Sequence, residues 1–212
     1  MLTASALSNG GKPLLECRTH EGAASAGEQE APRPCTPPAL APYLAAMDHF
    51  APSMDNEEPE LPVKIMEHLY LGDIIAAEDV ARLRALGITH VLQCADTKAG
   101  ADYGDMQTLM LGARDEEGYN MRQHLPAAGA FIESARACGG RCLVHCMAGI
   151  NRSGFVAAAE LMLHEKLEVL EALWRCFSAR GLILLNMSFR YQLLHTAEEH
   201  GVLGSHFVRA YE

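Results

Sequence analysis

Residues 142–154 read CLVHCMAGINRSG, which is an apolar run, then a loop with one glycine, then the first residues of a helix. A buried strand that leads through a loop into a helix is typical of sheets that carry helices on their faces. In such a loop, successive backbone N–H groups converge on one point near the positive end of the helix dipole. The stretch therefore predicts a strand–loop–helix unit that binds an anion.

Cys146 and Arg152 stand at the two ends of this loop, in a Cys-x5-Arg spacing. The planar guanidinium of Arg152 presents paired donors that match two oxygens of a phosphate group. A thiol beside a cation and a helix N-terminus loses its proton readily and becomes a nucleophile. The pair therefore predicts attack of Cys146 on a bound phosphate group. The alternative interpretation is a buried core cysteine beside an unrelated arginine.

Short apolar runs alternate with amphipathic stretches on both sides of this unit. Strands are predicted at 64–71 (two, around a turn), 90–94, 106–111 and 141–145, and helices at 73–86, about 120–137, 153–165, 168–180 and 187–200. Alternation of this kind predicts an α/β fold with a mostly parallel central sheet flanked by helices.

The first 60 residues differ in composition from the rest. They are rich in Ala, Gly, Ser, Pro and Glu, and their nine acidic and three basic residues account for −6 of the net charge of −10. Such a segment buries too little apolar surface to offset its chain entropy, so we expect a disordered tail at 1–60 and a folded domain at 61–212. One apolar cluster, at 40–50, favours a short helix that docks on the domain instead.

Charge and hydropathy limit the possible partners. A net charge of −10 argues against binding to nucleic acid or to anionic lipid. The longest apolar candidate, residues 142–163, is interrupted by polar side chains, and the N-terminus lacks the pattern of a secretory signal. We therefore expect a cytoplasmic protein, with the nucleus as a second location, that binds neither nucleic acid nor a membrane.

Cysteine and histidine usage predicts neither disulfides nor a metal site. The seven cysteines are odd in number and irregularly spaced, with no CxxC pair, which is typical of reduced intracellular thiols. The ten histidines form no HxH or HxxxH pair near a carboxylate. We expect no metal.

Residues 145–153, HCMAGINRS, resemble the HCxxGxxRS signature of the protein tyrosine phosphatase superfamily. Residues 64–94 resemble the opening of a dual-specificity phosphatase domain, with a Leu-Tyr-Leu-Gly strand end, a helix, and Gly-Ile-Thr-His-Val-Leu. The family segment R-x-x-I-x-P-N-x-G-F is matched by Arg180, Ile183, Asn186 and Phe189, while Leu185 replaces its Pro and Ser188 its Gly. The resemblance covers about 61–200, is closest to the small, atypical dual-specificity phosphatases, and implies a protein tyrosine phosphatase-like fold.

The resemblance implies a general acid and a set of phosphate-binding residues. In the family, an aspartate on a loop about thirty residues before the cysteine is the acid, and Asp115 lies 31 residues before Cys146. Glu116 is the alternative acid, and a solvated acidic loop is the competing interpretation. The loop that binds phosphate together with Arg152 consists of Met147, Ala148, Gly149, Ile150 and Asn151.

Three residues are expected to support the site. Ser153 would donate a hydrogen bond to the thiolate or would cap the following helix. The family pattern implies that His145 orders the loop by hydrogen bonding, and we expect Asn186 to buttress the loop from the last helix.

In a lipid phosphatase relative, the cysteine that corresponds to Cys94 captures the oxidised catalytic cysteine. Here Cys94 either does the same or is a small buried apolar residue.

The implied reaction is hydrolysis of phosphotyrosine, phosphoserine and phosphothreonine in phosphorylated protein substrates, through a cysteinyl phosphate and without a cofactor. Three alternatives belong to the same superfamily. Asn151 before Arg152 is similar to RNA 5′-triphosphatases, the Cys-x-Ala-Gly run is similar to glucan phosphatases, and phosphoinositide phosphatases have loop lysines that this chain lacks. A pseudophosphatase that binds phosphoproteins is a further alternative, although such proteins typically lose the cysteine.

Overall fold

A five-stranded sheet forms the centre of the computed structural model, which describes residues 39–50, 59–97 and 99–205 of the chain. The strands are β1 (Val63–Met66), β2 (Leu69–Gly72), β3 (Ile88–Ala95), β4 (Gln107–Ala113) and β5 (Arg141–His145). Their order is β1-β2-β5-β3-β4, and within these residues only the β1–β2 pair is antiparallel. The predicted α/β fold with a mostly parallel sheet is confirmed.

Helices cover both faces of the sheet. They are α1 (Ala41–Asp48), α2 (Ile74–Glu78), α3 (Val80–Ala85), α4 (Leu125–Ala137), α5 (Arg152–Leu163), α6 (Val169–Arg180) and α7 (Met187–Glu199), with a 3₁₀ turn at Met121–His124. The side chains of β5 alternate between two cores: Cys142 and Val144 face the larger one, and Leu143 the smaller. No helix in the described part of the chain is long and apolar enough to cross a bilayer.

The helix predicted at 73–86 is two helices, α2 and α3, because the chain turns at Asp79. The backbone of Asp79 is not helical (φ −80°, ψ 71°), and its side chain accepts a hydrogen bond of 3.0 Å from the N–H of Arg82. An aspartate that caps a helix in this way competes with continuation of the preceding helix. Asp73 caps α2 in the same manner, through the N–H of Ala76 at 2.8 Å.

Helix α1 lies inside the segment predicted to be a disordered tail, so the boundary at residue 60 is wrong for this part of the chain. The buried side chains of this region are Leu40, Tyr43, Leu44, Ala46, Met47 and Phe50. The ring of Phe50 stacks on Phe177 of α6, with centroids 5.6 Å apart, and Asp48 pairs with Arg190 of α7 at 2.6 Å. Residues 40–50 therefore dock on the domain, whereas 1–38 and 51–58 lie outside the described residues.

Phe50→Ala should lower the free energy of unfolding by about 3 kcal/mol, because it removes a buried ring from the contact with α6. Chemical unfolding of the full chain measures the change. His49→Ala, at the neighbouring exposed position, is the control and should have little effect. Equal stabilities of the two variants would contradict the docking of α1.

Glu160 is a carboxylic acid that is buried on α5. One of its oxygens lies 3.7 Å from Nε2 of His164. Burial, followed by the negative charges of Glu133 and Glu165, raises the pKa of Glu160 to about 7, against a smaller opposing effect of Arg136. The folded protein therefore keeps a proton on Glu160 at pH values where the unfolded chain has lost it.

Glu160→Gln should stabilise the protein by about 2 kcal/mol near pH 8, where the wild type must bury a carboxylate. Because the folded pKa lies above the ordinary value of 4.5, this residue lowers wild-type stability progressively as the pH rises from about 4.5 to about 7. The difference between the two unfolding free energies should therefore vanish near pH 4. Unfolding curves at several pH values test this, and a pH-independent difference would contradict it.

Candidate active site

The loop at 146–151 joins the carboxyl end of β5 to α5 and is held against the region where β2 ends and α2 begins. The N–H of Ile74 donates to the carbonyl of Met147 at 3.2 Å. Gly149 has φ +69°, and a Cβ atom there would lie 2.8 Å from the carbonyl oxygen of Gly72. Only glycine fits this conformation and this close approach, because a side chain at position 149 would push the loop away from the end of β2.

Cys146 and Ser153 are both buried where the loop enters α5. The hydroxyl of Ser153 donates a hydrogen bond of 3.1 Å to Sγ of Cys146, as the sequence predicts. The N-cap of α5 is Asn151, so Ser153 lies inside the first turn, and its alternative role as an N-cap is wrong. Its hydroxyl is thus placed to stabilise negative charge on the sulfur.

The guanidinium of Arg152 lies where the carboxyl ends of β3, β4 and β5 meet. Its Nη1 donates to the carbonyl of Ala113 at 3.1 Å and to Asp96 at 3.4 Å, and its Nε lies 3.9 Å from Asp115. Nε is buried and makes no hydrogen bond among the described residues, so its interaction with Asp115 is an ion pair without a hydrogen bond. Sequence reasoning missed Asp96, although ligand sites form at this edge of a parallel sheet and Asp96 directly follows β3.

Asp115, on the loop after β4, contacts the amide side chains of Asn151 and Asn186. Nδ2 of Asn151 lies 3.1 Å and 3.3 Å from the two carboxylate oxygens, and Nδ2 of Asn186 donates to one of them at 3.0 Å. Glu116, the alternative acid, is exposed and pairs with Arg114 at 3.2 Å. The structure therefore brings Asp115 to the loop at 146–151 (the phosphate loop, after the role that its sequence predicts). Glu116 pairs with Arg114 instead.

The side chain of Asn151 connects three segments of the chain. Its Oδ1 accepts hydrogen bonds from the backbone N–H groups of Leu185, at 2.7 Å, and Asn186, at 3.0 Å. Because N–H groups only donate, this oxygen must face them, and Nδ2 must face Asp115. Asn186 in turn caps α7 through the N–H of Phe189 at 3.3 Å. Asn186 thus contacts the loop through Asn151, whose side-chain role the sequence analysis missed.

The segment that carries Asp115, residues 114–120 (the acid loop), is fastened to α7 by two side chains. The N–H of Gly118 donates to Oγ of Ser188 at 3.1 Å. Gln192 donates to the carbonyl of Tyr119 at 2.7 Å and accepts from the N–H of Met121, just after the loop, at 2.8 Å. Ser188 stands where the resembling family has Gly, which has no side chain to make this bond.

His145 is buried directly before the loop, and burial lowers the pKa of its ring to about 4, against a smaller opposing effect from the backbone of Cys146. Neither ring nitrogen makes a hydrogen bond of good geometry among the described residues, and the interaction nearest to one is with the backbone of Cys146, so the role of His145 in ordering the loop stays a prediction. Cys94 is also fully buried, and burial raises the pKa of its thiol well above the usual value. Its pairing with Cys146 stays a prediction.

The site thus combines a thiol with a hydroxyl donor, a buried guanidinium, the loop at 146–151 and a carboxyl group. Such a set suits attack on a phosphate ester with protonation of the leaving group. Within the described ranges, no three His, Cys, Asp or Glu side chains are grouped so that they could hold a metal ion.

Known proteins share both the sequence and the fold of this region. Residues 69–199 match the family described as dual specificity phosphatase, catalytic domain. The chain is 37% identical over 131 residues to dual specificity protein phosphatase 22-A of Danio rerio, and 39% identical over 132 residues to dual specificity protein phosphatase 26 of Bos taurus. These matches cover 61% and 59% of this chain, which spans 62% of the length of each relative.

A crystal structure of a variant of human DUSP28 has the same fold, with a TM-score of 0.64. It is 29% identical in sequence, and the superposition covers 69% of this chain and 100% of that one. The family match spans β2 to β5, the loop at 146–151 and α5 to α7. As its loop sequence predicts, the chain belongs to the dual specificity phosphatase catalytic domain family of the protein tyrosine phosphatase superfamily.

Proposed function

We propose that this protein is a cysteine-dependent phosphatase that hydrolyses phosphotyrosine, phosphoserine and phosphothreonine in other proteins. The observation that carries the proposal is the buried thiol of Cys146, which accepts a hydrogen bond of 3.1 Å from Ser153 at the start of a loop whose sequence predicts anion binding. The relatives are named dual specificity protein phosphatases, which supports phosphorylated proteins as substrates.

In the first step, Sγ of Cys146 attacks phosphorus, and the bond between phosphorus and the ester oxygen breaks. The backbone N–H groups of residues 147–151 and the guanidinium of Arg152 hold the three non-bridging oxygens and stabilise their charge in the transition state. Asp115, in its protonated form, gives its proton to the departing oxygen. The products are the free alcohol or phenol and a cysteinyl phosphate.

In the second step, water attacks the cysteinyl phosphate, and the carboxylate of Asp115 takes a proton from that water. The bond between sulfur and phosphorus breaks, and its electron pair stays on the sulfur of Cys146. The hydroxyl of Ser153, 3.1 Å away, stabilises the thiolate as it leaves. Inorganic phosphate departs, and no cofactor takes part.

Other substrates of the superfamily have less support. RNA binding favours a basic surface, whereas the acid loop places Asp115, Glu116 and Glu117 beside the site. The loop at 147–151 has no lysine that would bind the further phosphates of an inositol lipid.

The cysteines of the described residues are all free, which supports a reducing compartment, the cytoplasm or the nucleus.

Cys146→Ser should abolish hydrolysis of phenyl phosphate, and Asp115→Ala should slow it by about 10²–10⁴-fold, because the leaving oxygen of this weakly acidic phenol loses its acid. Glu116→Ala, at the exposed neighbouring position, is the matched control and should leave the rate nearly unchanged. Steady-state kinetics of the full chain measure all three variants. A defect in Glu116→Ala without one in Asp115→Ala would overturn the assignment of the acid.

Asn151 is a positioning residue for this acid, so Asn151→Ala should slow the reaction most where the leaving group needs a proton. The variant loses the contacts of Nδ2 with the carboxyl group. Hydrogen bonds to charged groups contribute about 1.5–3 kcal/mol, so phenyl phosphate should react about ten- to a hundredfold more slowly. Aryl phosphates with acidic phenols leave without a proton and should lose little. The measurement is kcat/KM for a series of aryl phosphates.

Two further variants give this series its controls. Asp115→Ala should show the same dependence on the leaving group, and adding Asn151→Ala to it should change nothing more. Ser188→Gly removes a bond from the acid loop without touching Asp115 and should have a smaller effect. If Asn151→Ala slows every substrate equally, its role is in phosphate binding or folding, and the positioning role is wrong.

A further inference from the structure

Large apolar side chains are exposed around the mouth of the phosphate loop. Among the described residues, the large apolar side chains that are exposed belong to Ile75, Met110, Met147, Leu185 and Met187. Ile75 is 75% exposed and Leu185 is 48% exposed. Apolar side chains that are exposed together beside a site mark a surface that binds a partner. Four of these five belong to the loop or to segments that contact it.

Ile75 and Met147 lie at the start of the loop, on the side of α2. Met147 belongs to the loop, and its carbonyl accepts a hydrogen bond of 3.2 Å from the N–H of Ile74. Ile75 is the next residue, so the two exposed side chains project from backbone segments in direct contact. They form the first apolar flank of the site.

Leu185 and Met187 lie at the other end of the loop. The N–H of Leu184 donates to the carbonyl of Ile150 at 3.1 Å, and the N–H of Leu185 donates to the side chain of Asn151 at 2.7 Å. Met187, the first residue of α7, follows two positions later. These two exposed side chains form the second apolar flank.

The third side of the mouth, at the carboxyl ends of β3 and β4, is acidic. The carboxylates in the loops that follow these strands are Asp96, Asp102, Asp105, Asp115, Glu116 and Glu117. The neighbouring cation Arg114 pairs with Glu116 at 3.2 Å, and Arg152 is buried. Among the described residues of these two loops, acidic side chains outnumber basic ones, so acidic side chains of a substrate are repelled there.

We propose that the two apolar flanks bind large apolar side chains on either side of the phosphorylated residue of a substrate protein, while the acidic side disfavours carboxylates at those positions. This specificity rests on the proposed phosphatase function and defines its substrate class. The occupant is a phosphorylated segment, because the flanks lie at both ends of the loop that would hold its phosphate group. Fitting an apolar group against such a surface improves kcat/KM by about tenfold.

Three phosphotyrosine peptides of equal length test this inference, with Leu, Ser or Asp directly before and after the phosphotyrosine. For the wild type, kcat/KM should be about tenfold higher with Leu than with Ser, and lowest with Asp. In the double variant Ile75→Gln/Leu185→Gln, the preference for Leu over Ser should fall to about twofold or less. Hydrolysis of para-nitrophenyl phosphate, which has no flanking residues, should stay the same. Met110→Gln, at an exposed apolar position on β4, is the matched control and should keep the preference.

Equal kcat/KM for the Leu and Ser peptides, or an unchanged preference in the double variant, would overturn the inference. The wild type is also tested for self-association by sedimentation and for binding to phosphatidylcholine vesicles. If the double variant loses either of these while it keeps its peptide preference, the flanks belong to another partner. If the wild type does not hydrolyse para-nitrophenyl phosphate, the proposed function fails, and calorimetry with the same peptides then tests the flanks alone. The wild type should bind the Leu peptide most tightly, and the double variant should lose that difference.

Discussion

The close approach of Gly149 to Gly72 determines the geometry of the site. A side chain at position 149 would overlap the carbonyl at the end of β2, and the bond from Ile74 to Met147 holds the same part of the loop. Because β2 pairs in parallel with β5, the sheet sets where the loop begins, and the packing of α5 sets where it ends. The amides that would face an anion are therefore oriented by the core before any ligand arrives, which is the condition for strong electrostatic stabilisation.

Strand β5 and the phosphate loop could be predicted because their constraints are local. A strand buried on both faces needs an unbroken apolar run, and the residues found in β5 are those that the sequence indicates. The break between α2 and α3 could not be predicted in the same way. Ala77, Val80 and Leu83 keep a spacing of three residues across Asp79, so the apolar periodicity continues although the backbone helix does not. A capping side chain interrupts a helix without leaving a trace in that periodicity.

Contacts between distant segments explain the remaining differences. The side chain of Phe50 packs against Trp174 and Phe177 of α6, and nothing in residues 40–50 identifies those partners. The contacts of Asn151 also depend on distant segments. Its hydrogen bonds to Asp115 and from the N–H of Asn186 span 36 and 35 positions of the chain. The resemblance to the phosphatase family identified Asp115 as a candidate acid, but the amide that holds it depends on how three loops meet in space.

The acid loop is held in place without a substrate. Ser188 and Gln192 of α7 bind its backbone, and Asn151 and Asn186 bind the carboxyl group of Asp115, so displacing the loop breaks several hydrogen bonds at once. A loop that must close over its substrate gains specificity from that closure but uses part of the binding free energy to drive it. A loop that is already in position leaves that free energy for stabilising the transition state. The proposed specificity places discrimination between substrates at the mouth of the site, where apolar and acidic side chains are exposed beside the phosphate loop.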